Sequence, residues 1–248
     1  MFPIRDHNPS GRTPYVTQTL IAANVVVFLG YWLVLPDPLA LDRFFATWGL
    51  VPARISAGMG WQGIVTSMFL HGGWMHLAGN MLFLWIFGDN LEDIMGHVRF
   101  GLFYLACGLA AAALQIAADP GSRIPMVGAS GAIAGVMGGY LLLFPRARID
   151  VLFVFVIFFR ILPVPAWAML GIWFGLQLLN GLATPATLGG IAYQAHIGGF
   201  LAGLVLTAPF WLARGGLAFW RQTHGLPPHP QSNYPLARTR IPRVPRRR

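Results

Sequence analysis

Apolar runs of near-spanning length, each ended by a polar or charged break, limit what this chain can fold into more than any other feature. The first covers residues 17–35 (TQTLIAANVVVFLGYWLVL). At 1.5 Å per residue, a helix of that length crosses the roughly 30 Å hydrocarbon layer of a bilayer. Further runs cover residues 74–88, 99–118, 130–144, 165–182 and 192–213. Six spans predict an all-α polytopic membrane protein, a six-helix bundle with both termini on one side. Charged residues make up 10% of the chain, against about 25% in a soluble domain.

Between the first two runs, residues 36–73 hold Pro36, Pro38, Pro52, the Phe44–Phe45 pair, Trp48 and Trp61 but no run of spanning length. This aromatic connection reads as a first loop half-inserted in the membrane interface. Asn24, inside the first run, is expected to hydrogen-bond a neighbouring helix. Residues 151–161 (VLFVFVIFFRI) are apolar and β-branched but too short to span, so they fit either an interfacial segment or the start of the next helix. From residue 225 onward six prolines and six arginines leave nothing to bury. The chain divides into an N-terminal segment (1–14), a membrane domain (15–213) and a Pro/Arg-rich tail (214–248) expected to be disordered.

All 17 basic residues are arginine, against 8 acidic ones. With cytosolic termini, 14 arginines lie inside and only Arg43, Arg54 and Arg123 outside, as the positive-inside rule requires. The excess flanks apolar runs and fills the tail, so topology explains it and no nucleic-acid partner is called for. The single cysteine, Cys107, excludes an intrachain disulfide and fits a small buried packing residue.

The fourth run, MVGASGAIAGVMGGY from Met126, carries Gly131, Gly135 and Gly139 four apart, which lines one helix face with residues that let a neighbouring backbone approach. Gly199 and Gly203 repeat the pattern in the sixth run. At the head of the first stretch stands Ser130, and at the head of the second His196. The fourth helix is about 21 Å long, so Ser130 lies several ångströms below the outer surface, and the same ruler places His196 and His76 at comparable depth. A serine and a histidine at one depth suggest a nucleophile and its base. Asn80 follows His76 by four residues and shares its face, so the pair could stabilise an oxyanion. By itself, a serine among glycines is far more often a packing residue. His71 and His76 are also conceivable metal ligands, but their spacing of five is awkward on a helix and no HExxH motif is present. No metal or other cofactor is called for.

The segments His71-Gly-Gly-Trp-Met-His76-Leu-Ala-Gly-Asn80, Gly128-Ala-Ser130-Gly131 and Ala195-His196-Ile-Gly-Gly199-Phe-Leu-Ala-Gly203 closely resemble those of bacterial rhomboids, the intramembrane serine proteases, and the resemblance covers residues 15–213. It implies a Ser130–His196 dyad without an acidic third member, and an oxyanion hole from His76, Asn80 and the Ser130 backbone N–H. It further implies a fifth helix and a loop 181–190 acting as gate and cap, through which a transmembrane substrate enters laterally from the lipid of a bacterial inner membrane. The chain departs from the pattern at Gln62, where many members have arginine after tryptophan. It departs again at Ala134, where many members place an aromatic ring against the histidine. A catalytically silent protein that binds transmembrane helices is the competing expectation. A solute transporter is disfavoured by the lack of an internal repeat.

Overall fold

The computed structural model describes residues 2–35, 37–155, 158–183 and 191–228. In chain order these form β1 (Phe2–Asp6), α1 (Tyr15–Val34), α2 (Pro38–Trp48), α3 (Pro52–Ser56) and α4 (Gly63–Thr66). A 3-10 turn (Ser67–Phe69), α5 (Trp74–Met95), α6 (His97–Ala118) and α7 (Ser130–Leu143) follow. Then come β2 (Arg148–Phe155), β3 (Phe158–Pro165), α8 (Ala166–Ala183), α9 (Tyr193–Ala213) and α10 (Leu217–Thr223). Of these helices α1, α6, α8 and α9 are long and apolar enough to cross a membrane, and α7 is a shorter apolar helix. Leu33, Trp85, Leu102, Leu179 and Val205 point outward and exposed, as expected of a surface that lipid solvates.

α7 is the axis of the bundle, buried at every position from Gly131 to Tyr140. Its missing side chains explain how. A β-carbon on Gly135 would strike Cys107 of α6, and one on Gly138 would strike the Phe200 backbone of α9. In return, β-carbons on Gly199 and Gly203 would overlap the carbonyl groups of Gly131 and Gly135. Gly131 also faces Ala111 of α6, and Gly139 faces Leu91, Phe103 and Thr207. Helices at this separation gain dispersion contacts that larger residues would prevent.

At the end of α7 remote from Ser130 lies an antiparallel sheet in the order β1-β2-β3. The run 151–161 is therefore a hairpin. Its β-branched residues suit a pleated strand better than a helix, and its partner β1 comes from a segment expected to stand apart. Asp150 ties the two together: it accepts from Arg5 Nε at 2.7 Å and lies 2.8 Å from His7 Nε2. Burial works against its charge, but the bonds to His7 and Arg5 hold its carboxyl below the usual range. His7 thus has a structural partner.

Asp6 has the opposite character. Burial, helped by the charge of Asp89, raises its carboxyl to about 8, while Tyr140 donates a hydrogen bond to it at 2.8 Å. The folded state then holds a proton that the unfolded state releases near 4, so this group's contribution to stability falls as pH rises between those values. Asp6→Asn keeps an acceptor for Tyr140 and should remove that slope. Melting curves in detergent at pH 5 and 8 check this, and a slope equal to the wild type's would show that Asp6 is not its source.

Several expectations need correction. The aromatic connection holds three short helices, α2, α3 and α4, and a 3-10 turn, joined by non-helical residues 49–51 and 57–62: Asp37 caps α2 through Leu39 N and Ala40 N, both at 3.2 Å, and Gln62 donates to the Thr47 carbonyl at 3.0 Å. α5 continues through residues 89–93, which had read as a loop. There buried Glu92 accepts from Val16 N and Thr17 N, each at 2.8 Å, and so caps α1, whose own N-cap position is a proline. Asn24 Nδ2 donates to Leu20 of its own helix, not to a neighbour. The tail is ordered beyond residue 213, since α10 packs back through Trp220 Nε1 to the Leu142 carbonyl at 3.0 Å. Residues 184–190 of the expected cap and 229–248 of the expected tail lie outside the described residues.

Candidate active site

Ser130 is the first residue of α7, where the early N–H groups have no intrahelical carbonyl to bond. Gly128 delivers the chain to that point with φ of 130°, a conformation that favours glycine, and its N–H donates to the Ser67 carbonyl at 2.9 Å. His196 is the fourth residue of α9, the helix locked against α7 by Gly199 and Gly203. That lock brings the two heads together: His196 Nε2 lies 2.8 Å from Ser130 Oγ.

His76, in the first turn of α5, faces the same point. Its Nδ1 accepts from the Gly72 N–H at 3.3 Å, which puts the ring proton on Nε2 and aims a donor away from Gly72. The space over Gly128 shows where that donor points. An atom at the β-carbon position there would sit 2.8 Å from His76 Nε2 and 3.5 Å from Ser130 Oγ. Asn80, one turn further along α5, is buried, and its Nδ2 has no protein partner. Unpaired buried donors are costly, and this one lines the same cavity as the serine.

That cavity measures about 710 Å³ and is lined by Ser130, His196, His76 and Asn80 together with apolar groups that include Phe83 and Met137. It is large enough for a peptide segment and for water. The structure therefore brings all four polar residues singled out by spacing to one chamber, while Gly131, Gly135, Gly139, Gly199 and Gly203 lie at the helix contacts around it. His71 is fully buried, its ring 5.1 Å from that of His76. Among the described residues no group of three or more His, Cys, Asp or Glu is placed to hold a metal ion.

Two residues at this site were not singled out in the sequence. Gln177 of α8 places Oε1 2.9 Å from His196 Nδ1. Trp173, one turn earlier, lies against the same imidazole, with ring centroids 5.8 Å apart. The local signal was a glutamine in a helix that is apolar apart from it and Asn180. Ala134, which carries no ring, is wholly buried in the bundle.

A helical membrane bundle with a serine hydroxyl against an imidazole at the head of its central helix defines a narrow class of protein. The rhomboid-domain family model matches residues 58–213, and the chain belongs to the rhomboid family. It is 34% identical over 146 residues to "Rhomboid protein 1, mitochondrial" of Saccharomyces cerevisiae, covering 57% of this chain and 40% of that one. To "Rhomboid protease GluP" of Bacillus subtilis it is 33% identical over 156 residues, 63% of this chain and 27% of that one. To "Presenilin-associated rhomboid-like protein, mitochondrial" of Bos taurus it is 29% identical over 136 residues, 54% and 34% respectively. The chain thus spans less than half the length of these relatives.

Proposed function

We propose that the protein is an intramembrane serine endopeptidase that cuts a peptide bond within or beside the transmembrane segment of another membrane protein. The observation that carries this reading is the 2.8 Å approach of His196 Nε2 to Ser130 Oγ inside a chamber supplied with unpaired donors. Ser130 Oγ attacks the scissile carbonyl carbon as His196 Nε2 takes the hydroxyl proton. The carbonyl oxygen becomes an oxyanion held by His76 Nε2–H, Asn80 Nδ2–H and the backbone N–H groups at the start of α7. The C–N bond then breaks, and His196 returns the proton to the leaving amine. Water in the chamber, deprotonated by the same imidazole, releases the acyl group from Ser130.

α5 and α7 complete six spans in this reading, with both termini cytosolic and the chamber in the outer half of the membrane. The sheet supports the shared side, because it pairs residues 2–6 with the segment that follows α7. The substrate helix enters laterally beside α8. It must unwind for its carbonyl to be attacked, so helix-weakening residues near the cut favour cleavage.

Purified in mild detergent, the wild type should be labelled by a fluorophosphonate at Ser130, and Ser130→Ala should not. Mass spectrometry of the labelled peptide identifies the residue. The same preparation should cut a transmembrane substrate with a Gly-Gly pair near the scission site faster than its Leu-Leu counterpart. A folded wild type that resists labelling in several detergents and in lipid would sink the protease reading and leave a helix-binding role.

A further inference from the structure

α8 carries a polar side chain that a two-residue mechanism leaves unused. Gln177 follows Trp173 by four residues, so the two share one face of the helix, and that face meets His196. Ser130 Oγ sits 2.8 Å from one nitrogen of the imidazole, Gln177 Oε1 2.9 Å from the other, and the Trp173 ring lies beside it, tilted by 37°. Gln177 is 8% exposed. A buried amide is costly unless paired, and its hydrogen bond to His196 offsets this cost at the site.

The direction of that bond matters chemically. With Oε1 toward the ring, Nδ1 must carry the proton, so Nε2 turns its lone pair to the serine hydroxyl. With the amide reversed, the glutamine would donate to Nδ1, the ring proton would sit on Nε2, and Ser130 would have no base. A neutral acceptor also stays bonded when the imidazole holds a second proton midway through the reaction. Ala134 offers no ring for this purpose.

We infer that Gln177 is a positioning residue that, with Trp173, orients His196 and fixes its tautomer for proton transfer with Ser130. The inference rests on the serine-protease reading above. It also makes the docked position of α8 a condition of activity, since both contacts leave His196 if that helix moves.

The test compares wild type with Gln177→Leu and Gln177→Glu, measuring the labelling rate at Ser130, kcat and KM on a transmembrane substrate, and the unfolding midpoint. Gln177→Leu should slow labelling and kcat roughly 10- to 100-fold with KM within about twofold of wild type. Gln177→Glu, which keeps an acceptor at the same reach, should recover to within about fivefold. Gln177→Leu at wild-type rate would overturn the inference. So would Gln177→Glu as slow as the leucine variant with an unchanged midpoint, because side-chain shape rather than the acceptor would then be at work. A wild type that does not label sinks the underlying reading instead, before any variant is compared.

Discussion

Alanine at Ser130, or at His196, is expected to lower cleavage of a transmembrane substrate by about 10⁴-fold or more, and the double variant should be no slower than the worse single one. The reason is the shared proton. A hydroxyl with no base at 2.8 Å is a poor nucleophile, and an imidazole with no hydroxyl beside it has nothing to activate. Once either is gone, removing the other takes away nothing further. What survives should be the contribution of the donors on α5 and α7, which neither substitution touches. Single-turnover rates for the four proteins in one detergent settle the matter. Losses that multiply would show that Ser130 and His196 act independently and that their contact is only packing.

The second large effect concerns stability. Valine at Gly203 is expected to cost more than about 4 kcal/mol, enough to prevent the bundle from forming. A side chain there would occupy the space of the Gly135 carbonyl and α-carbon, which are backbone atoms of the central helix and cannot swing aside. Relief would require α7 and α9 to separate, which would also part Ser130 from His196. Gly175 of α8 supplies the contrast: a β-carbon there meets nothing within 4 Å. Gly175→Ala should be neutral or stabilising by up to about 1 kcal/mol from helix propensity. Thermal unfolding in detergent, followed by size-exclusion chromatography, measures both. A Gly203→Val protein that melts like the wild type would mean that the two helices sit further apart than described.

The sequence was most informative where a local pattern carries the physics. Glycines at intervals of four marked α7 and α9 as helices with a close-packing face, and the residues at their heads were the ones that meet in the chamber. The sheet was hidden for a different reason. Residues 151–161 read as ambiguous because the feature that makes them strands is a partner, and β1 is about 145 residues away. Asp150 and His7 are likewise silent one at a time, since neither means anything without the other. Gln177 does not stand out because its helix gives an apolar pattern that two amides, Gln177 and Asn180, barely disturb; only the fold brings the imidazole to it. Glu92 read as part of a charged loop because three acids within five residues look like a span's end, whereas the N–H groups of α1 keep it in the protein.

The same sheet sets an order of events as the chain is made. β1 is synthesised before α1, yet the residues it pairs with follow α7, after most of the bundle. Until then its backbone groups must be satisfied by water, and the loop to be closed is long, so its entropic cost falls due only once the bundle holds both ends near each other. The sheet therefore closes late in assembly. Because β3 runs straight into α8, the helix bearing Gln177 is seated against His196 by a structure that exists only after β1 has found its place.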